Sequence, residues 1–93
     1  MITRIDHIAI AVQNLDDTLR FYAEKLGLPY SHTADEPEQR AKVAFFPLGG
    51  SEVELVQPTD SESGLSKWLD KRGEGLHHIC FEVDDIDAAL ANL

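Results

Sequence analysis

Apolar and polar positions along this chain switch between a strand period and a helix period. Residues 5–12, Ile-Asp-His-Ile-Ala-Ile-Ala-Val, are a short, β-branched, mostly apolar run that reads as a strand. Asn14 then offers an N-cap, with Asp16 and Asp17 in the first turn. Leu15, Leu19, Tyr22 and Leu26 follow at helical spacing until Gly27 and Pro29 close the segment, so a helix is expected over 15–26. A short strand is expected at 29–33, and the polar, acidic stretch 33–39 around Pro37 reads as a loop or hairpin turn. Residues 42–48 are strand-like, Gly49-Gly50-Ser51 is a turn, and 52–56 alternates as a half-buried strand should. Leu65, Trp68 and Leu69 mark a short helix closed by Gly73. Residues 76–83 form a further strand, after which Asp84 or Asp85 caps a helix built on Ile86, Leu90 and Leu93.

The pattern repeats. Sliding the chain by about 71 residues lays Ile5-Asp6-His7-Ile8 over Leu76-His77-His78-Ile79, and matches Val12 with Val83, Asp16 with Asp87 and Leu19 with Leu90. Strand, cap and helix recur in the same order. The fold class expected is α+β, built of paired βαβββ modules within one domain over 1–93. The first module covers about 1–72, and the second, about 73–93, is cut off after its first strand and helix. Strand alternation places Ile8, Ile10 and Val12 on the helix-packed face and His7 opposite, with Ile5, Ala9 and Ala11. In the second copy His78 takes the place of His7, on a face with Leu76, Cys80 and Glu82, and His77 is expected to point the other way. Glu54 shares a face with Glu52 and Val56.

Composition and charge narrow the function. The net charge of −9, with eight basic residues scattered through the chain, argues against nucleic acid as a partner. It also means that an anionic ligand would depend on local cations such as Arg40, Lys42, Lys67, Lys71 and Arg72. No apolar run approaches the roughly 20 residues of a membrane span, and no signal-peptide layout opens the chain, so a cytoplasmic location without membrane association is expected. The single cysteine, Cys80, fits a reducing compartment and reads as a small buried hydrophobe.

One strand histidine is usually structural. Two histidines at equivalent positions of a repeat, joined by a mid-strand carboxylate, instead suit a borderline divalent metal. His7, Glu54 and His78 are the candidate ligands. For Glu54 the competing reading is an exposed polar position, with Glu52 as an alternative. No nucleophile-base-acid triad is present, and Gly49-Gly50 lacks the helix and Lys-Ser/Thr signature of a phosphate loop.

These residues resemble the vicinal-oxygen-chelate, or glyoxalase-like, superfamily and, within it, the methylmalonyl-CoA epimerase family. The resemblance is carried by residues 5–12, by Pro37-Glu38-Gln39 and by Val53-Glu54-Leu55. Its most specific part is the stretch Lys67-Trp68-Leu69-Asp70-Lys71-Arg72-Gly73-Glu74-Gly75-Leu76-His77-His78-Ile79, and it covers essentially the whole chain. It implies a half-barrel cupping a metal held by His7, Glu54 and His78. Cobalt(II) is the family's usual ion, with manganese, zinc and magnesium as alternatives. The implied substrate is a small acyl-CoA, the implied assembly a homodimer, and the implied reaction the interconversion of (R)- and (S)-methylmalonyl-CoA. That reaction removes and returns the C2 proton through a metal-stabilised enolate.

Two departures from the family pattern leave the acid/base residues unassigned. The family's last glutamate ligand would lie about 71 residues beyond Glu54. A glutamate that some relatives carry at about Val43 is replaced here by valine. The alternatives are a glyoxalase-like lyase or another enzyme of the superfamily, and a metal-free binding module or inactive fragment of the fold.

Overall fold

The β-branched run near the N-terminus becomes β1 (Ile2–Ala11), an inner strand with neighbours on both sides. In the computed structural model, which describes residues 1–93, the remaining strands are β2 (His32–Glu36), β3 (Ala41–Leu48), β4 (Ser51–Pro58) and β5 (Gly75–Val83). They form one mixed sheet in the order β2-β3-β4-β1-β5, with β1 parallel to β4 and antiparallel to β5. The order strand-helix-three strands is the βαβββ unit that the repeat predicts. After α2 (Gly64–Arg72), strand and helix come again as β5 and α3 (Ile86–Ala91). No helix is long and apolar enough to cross a membrane.

Helix α1 (Leu15–Arg20) starts where Asn14 accepts from the Asp17 amide, and the Leu15 amide donates to the Gln57 side chain at 2.7 Å, fixing the helix to β4. Its last turn, Phe21–Lys25, widens to a π-helical turn in which the Leu26 amide reaches the Phe21 carbonyl. Gly27, at φ 73°, then ends it as expected. α1 covers one sheet face, where Val12, Leu15, Phe46 and Leu55 are buried with Leu19 and Tyr22 against them. The opposite face is floored by Ala9, Ala11, Ala41, Val43 and Val56, and α2 closes only part of it through Leu69 and Trp68. The predicted assignment of Ile10 and Val12 to the helix side and Ala9 and Ala11 to the other therefore holds.

Two expectations fail. The short strand expected at 29–33 lies three residues later, so 34–36 are strand, not loop: β2 pairs with β3 from His32 opposite Phe45 to Glu36 opposite Ala41. His-Thr-Ala-Asp-Glu has little strand propensity, but it is an edge strand whose backbone is satisfied by β3, and pairing outweighs composition there. The second failure concerns His77. The β1–β5 register jumps from Ala9 opposite His78 to Ile10 opposite Leu76, so His77 is the extra residue of a β-bulge. Strict alternation stops at that point. His77 does not point away; it lines a cavity together with His78.

Candidate metal centre

β1, β4 and β5 lie side by side, so their residues on the face away from α1 meet without any long loop. In the register, Ala9 sits between Glu54 and His78, and His7 is opposite Cys80. The His7 and His78 rings approach edge-on with centroids 5.4 Å apart, and their Nε2 atoms are separated by 3.4 Å. Glu54 Oε2 lies 3.8 Å from His7 Nδ1. The three sequence-predicted residues are thus brought together around His7, although Glu54 and His78 approach different nitrogens of its ring. With Glu36, Val43 and Phe45 they line a cavity of about 330 Å³.

Each histidine is held by the residue just before it. The Asp6 carboxylate, which can only accept, receives a hydrogen bond from His7 Nδ1–H at 2.8 Å and leaves the Nε2 lone pair free. His77 Nδ1 lies 2.9 Å from His78 Nδ1, and the His77 ring stands edge-on to Trp68 with centroids 4.8 Å apart. Asp6 is itself braced by Arg4 at 3.0 Å, and Arg4 pairs with Glu82 at 3.0 Å. A chain of polar contacts therefore runs from β5 through β1 and back to β5, and it aims two Nε2 atoms at one another.

The electrostatics agree with this geometry. Burial pushes the Glu54 carboxyl above its ordinary range, and His7 offsets this only in part while Glu52 adds to it. Burial, followed by the neighbouring His77 and His7, lowers His78, which favours its neutral, metal-ligating form. The hydrogen bond from His7 holds Asp6 below the usual carboxylate range, with Arg4 adding to it.

Asp6 and Glu36 were not identified as neighbours of the site from the pattern of residues, and Cys80, placed on the His78 face, was expected to be fully buried. The register jump between Ile5 and His7 makes Asp6 a bulge residue on β1. Cys80 is half-buried, not fully buried, and Asp6, His7 and Cys80 bring donor atoms within 4.8 Å of one another. Glu36 was assigned to a loop. Adjacent polar residues such as Asp6-His7 and His77-His78 are the one sequence signal that could have suggested bulges.

Comparison with known proteins gives the following. Residues 6–93 match the family model of the glyoxalase/bleomycin resistance protein/dioxygenase superfamily. The uncharacterized protein YqjC of Bacillus subtilis is 42% identical over 97% of this chain and 64% of its own length. The ethylmalonyl-CoA/methylmalonyl-CoA epimerase of Cereibacter sphaeroides is 39% identical over 100% of this chain and 70% of its own. A Streptomyces coelicolor methylmalonyl-CoA epimerase variant, solved in complex with 2-nitronate-propionyl-CoA, superposes with a TM-score of 0.88 at 41% identity, covering 99% of this chain and 70% of that one. The chain thus spans about two thirds of the length of these relatives.

Proposed function

Since the chain belongs to the glyoxalase/bleomycin resistance protein/dioxygenase superfamily, we propose that it carries the metal-binding half of an epimerase acting on methylmalonyl-CoA. The observation that carries this reading is the pair of Nε2 atoms 3.4 Å apart, with the Glu54 carboxylate 3.8 Å from Nδ1 of the same His7 ring. Two nitrogens each about 2.1 Å from one ion, at roughly tetrahedral angles, keep about that separation. Two imidazoles and one carboxylate suit cobalt, zinc or manganese better than magnesium, which prefers an all-oxygen shell. The residues present therefore fit a divalent cation, with cobalt(II) as the proposed ion. Glu54 has three rotatable side-chain bonds with which to turn from the Nδ1 side toward the histidine pair.

Bound there, a divalent cation would supply Lewis acidity toward the carboxylate and thioester oxygens of the substrate. The chain's own residues do the rest. Asp6 and His77 fix the two ring orientations before any ligand arrives, so little reorganisation accompanies binding. Val43, Val56 and Phe45 supply the apolar part of a cavity wall that His7, Glu36, Gln39, Glu54 and His78 otherwise make polar. Support for the substrate comes from the epimerase relatives and from the acyl-CoA analogue bound to the Streptomyces coelicolor enzyme. A cytoplasmic homodimer completes the proposal.

The test is to incubate purified protein and Co²⁺ with (S)-methylmalonyl-CoA in D₂O. The expected result is appearance of the (R) isomer with deuterium at C2. Stoichiometric metal binding without deuterium uptake would refute the epimerase reading. Undiminished Co²⁺ binding in both His7→Ala and His78→Ala would refute the ligand assignment.

A further inference from the structure

The cavity beside His7 and His78 contains one carboxylate that the metal set does not use. Glu36 is the last residue of β2 and lines the same cavity as His7, Glu54 and His78. The strand register gives the same placement independently. Glu36 lies opposite Ala41, two residues along from the Ala34–Val43 pair and four from the His32–Phe45 pair. Ala41 and Val43 belong to the face away from α1, with Phe45 packed against them, so Glu36 belongs there too. It stands diagonally across from Val43, a Cα separation of about 7–8 Å that a glutamate side chain readily spans. From the edge of the sheet it faces the site from the wing opposite β1 and β5.

Its backbone is held while its carboxylate is free. Pro37 starts the 3₁₀ turn Pro37–Gln39, and Arg40 closes it at φ 52°. The turn is pinned to the end of β4 by the Thr59 amide on the Arg40 carbonyl at 2.9 Å, and by Arg40 to Asp60 at 3.5 Å. Glu36 is half-buried, and neither a side-chain hydrogen bond nor an ion pair engages it. Glu54, by contrast, lies against His7. Gln39 reaches the same cavity but cannot accept a proton at neutral pH.

We propose that Glu36 is a catalytic base of this site, taking the C2 proton of an acyl-CoA substrate held between it and the histidine pair. In that step the C2–H bond breaks and the proton passes to a Glu36 oxygen. The electron pair moves into the C1–C2 bond, and the thioester carbonyl opens to an enolate oxygen; return of the proton from Glu36 regenerates the starting isomer, whereas a solvent-derived proton delivered to the opposite face of C2 gives the other, and Glu36 then releases its proton to solvent. No oxidant, reductant or co-reactant is consumed. The assignment rests on the epimerase reading above and deepens it.

The experiment compares wild type, Glu36→Gln, Glu36→Asp and His78→Ala, each purified and titrated calorimetrically with Co²⁺ before deuterium uptake at C2 of methylmalonyl-CoA is measured in D₂O. Glu36→Gln is expected to keep the Co²⁺ dissociation constant within about threefold while losing about 10²–10⁴-fold in exchange rate. Glu36→Asp, which keeps the charge but shortens the reach, should fall between it and wild type. Exchange by Glu36→Gln within about threefold of wild type overturns the base assignment and leaves the epimerase reading standing. Weakened Co²⁺ binding in Glu36→Gln overturns it differently, by making Glu36 a ligand. Wild-type protein that binds Co²⁺ but exchanges nothing overturns both readings together.

Discussion

Glu54 should cost the metal-free protein stability. Its carboxyl is mostly buried, retaining 16% of its side-chain exposure, beside Glu52 and 3.8 Å from His7. Its folded pKa is raised, so folding favours the protonated acid. The ionised form is therefore a penalty at every pH above the raised value, and the penalty disappears as pH falls through that value toward the unfolded one. Glu54→Gln keeps the shape and removes the charge. Relieving a functional site of this kind typically gains about 0.5–2 kcal/mol. In a domain of this size each kcal/mol moves Tm by roughly 4–8 °C, so a rise of about 2–16 °C is expected at pH 7 in chelator. The order should invert when metal is added. Wild type with Co²⁺ at about 100 times its Kd gains about 2.7 kcal/mol, whereas a variant missing one ligand gains much less. Differential scanning calorimetry at pH 7 and at pH 5, with chelator and with Co²⁺, reads all four states. A metal-free variant that melts at or below wild type at pH 7, or a gap that does not shrink toward acid pH, would refute the argument.

Other outcomes follow from the same structure. Asp6→Asn removes the carboxylate that holds His7 Nδ1 and should weaken Co²⁺ binding about 10–100-fold by calorimetry, with little change in Tm of the metal-free protein. Leu55→Ala empties a fully buried position between the sheet and α1 and should cost about 2–5 kcal/mol in urea denaturation. Ser63→Ala removes the oxygen that caps α2 at the Ser66 amide and should cost about 1 kcal/mol on the same assay.

The fold was legible where one face of an element is buried. β1, α1, β4 and the faces of Ile10, Val12, Ala9 and Ala11 follow from apolar period alone, because a register error there would expose the core. Helix ends were legible through Asn14, Gly27 and Gly73, since capping is local chemistry. β2 was not legible. It contributes no fully buried side chain, and what makes it a strand is five consecutive pairings with β3, a partner that no local window contains. Reading its C-terminal half as loop also hid Glu36, whose position on the cavity face exists only through that pairing.

The site shows the same division at finer scale. His7 and His78 were readable because the repeat relates them by symmetry, and the structure brings their Nε2 atoms within 3.4 Å. Asp6 and His77 were not, because each is the extra residue of a bulge and alternation assigns such a residue to the wrong face. Their placement has a common consequence. A residue adjacent in sequence to a strand histidine normally points to the opposite side of the sheet and cannot hydrogen-bond to its ring. One bulge before His7 and one before His78 remove that restriction, and each preceding residue reaches Nδ1 at 2.8 and 2.9 Å. The bulges thus convert two neighbours into supports that select the Nε2 face of both rings. Deleting either bulge by removing one residue would restore strict alternation, turn a support away, and separate the orientation of the histidines from their presence.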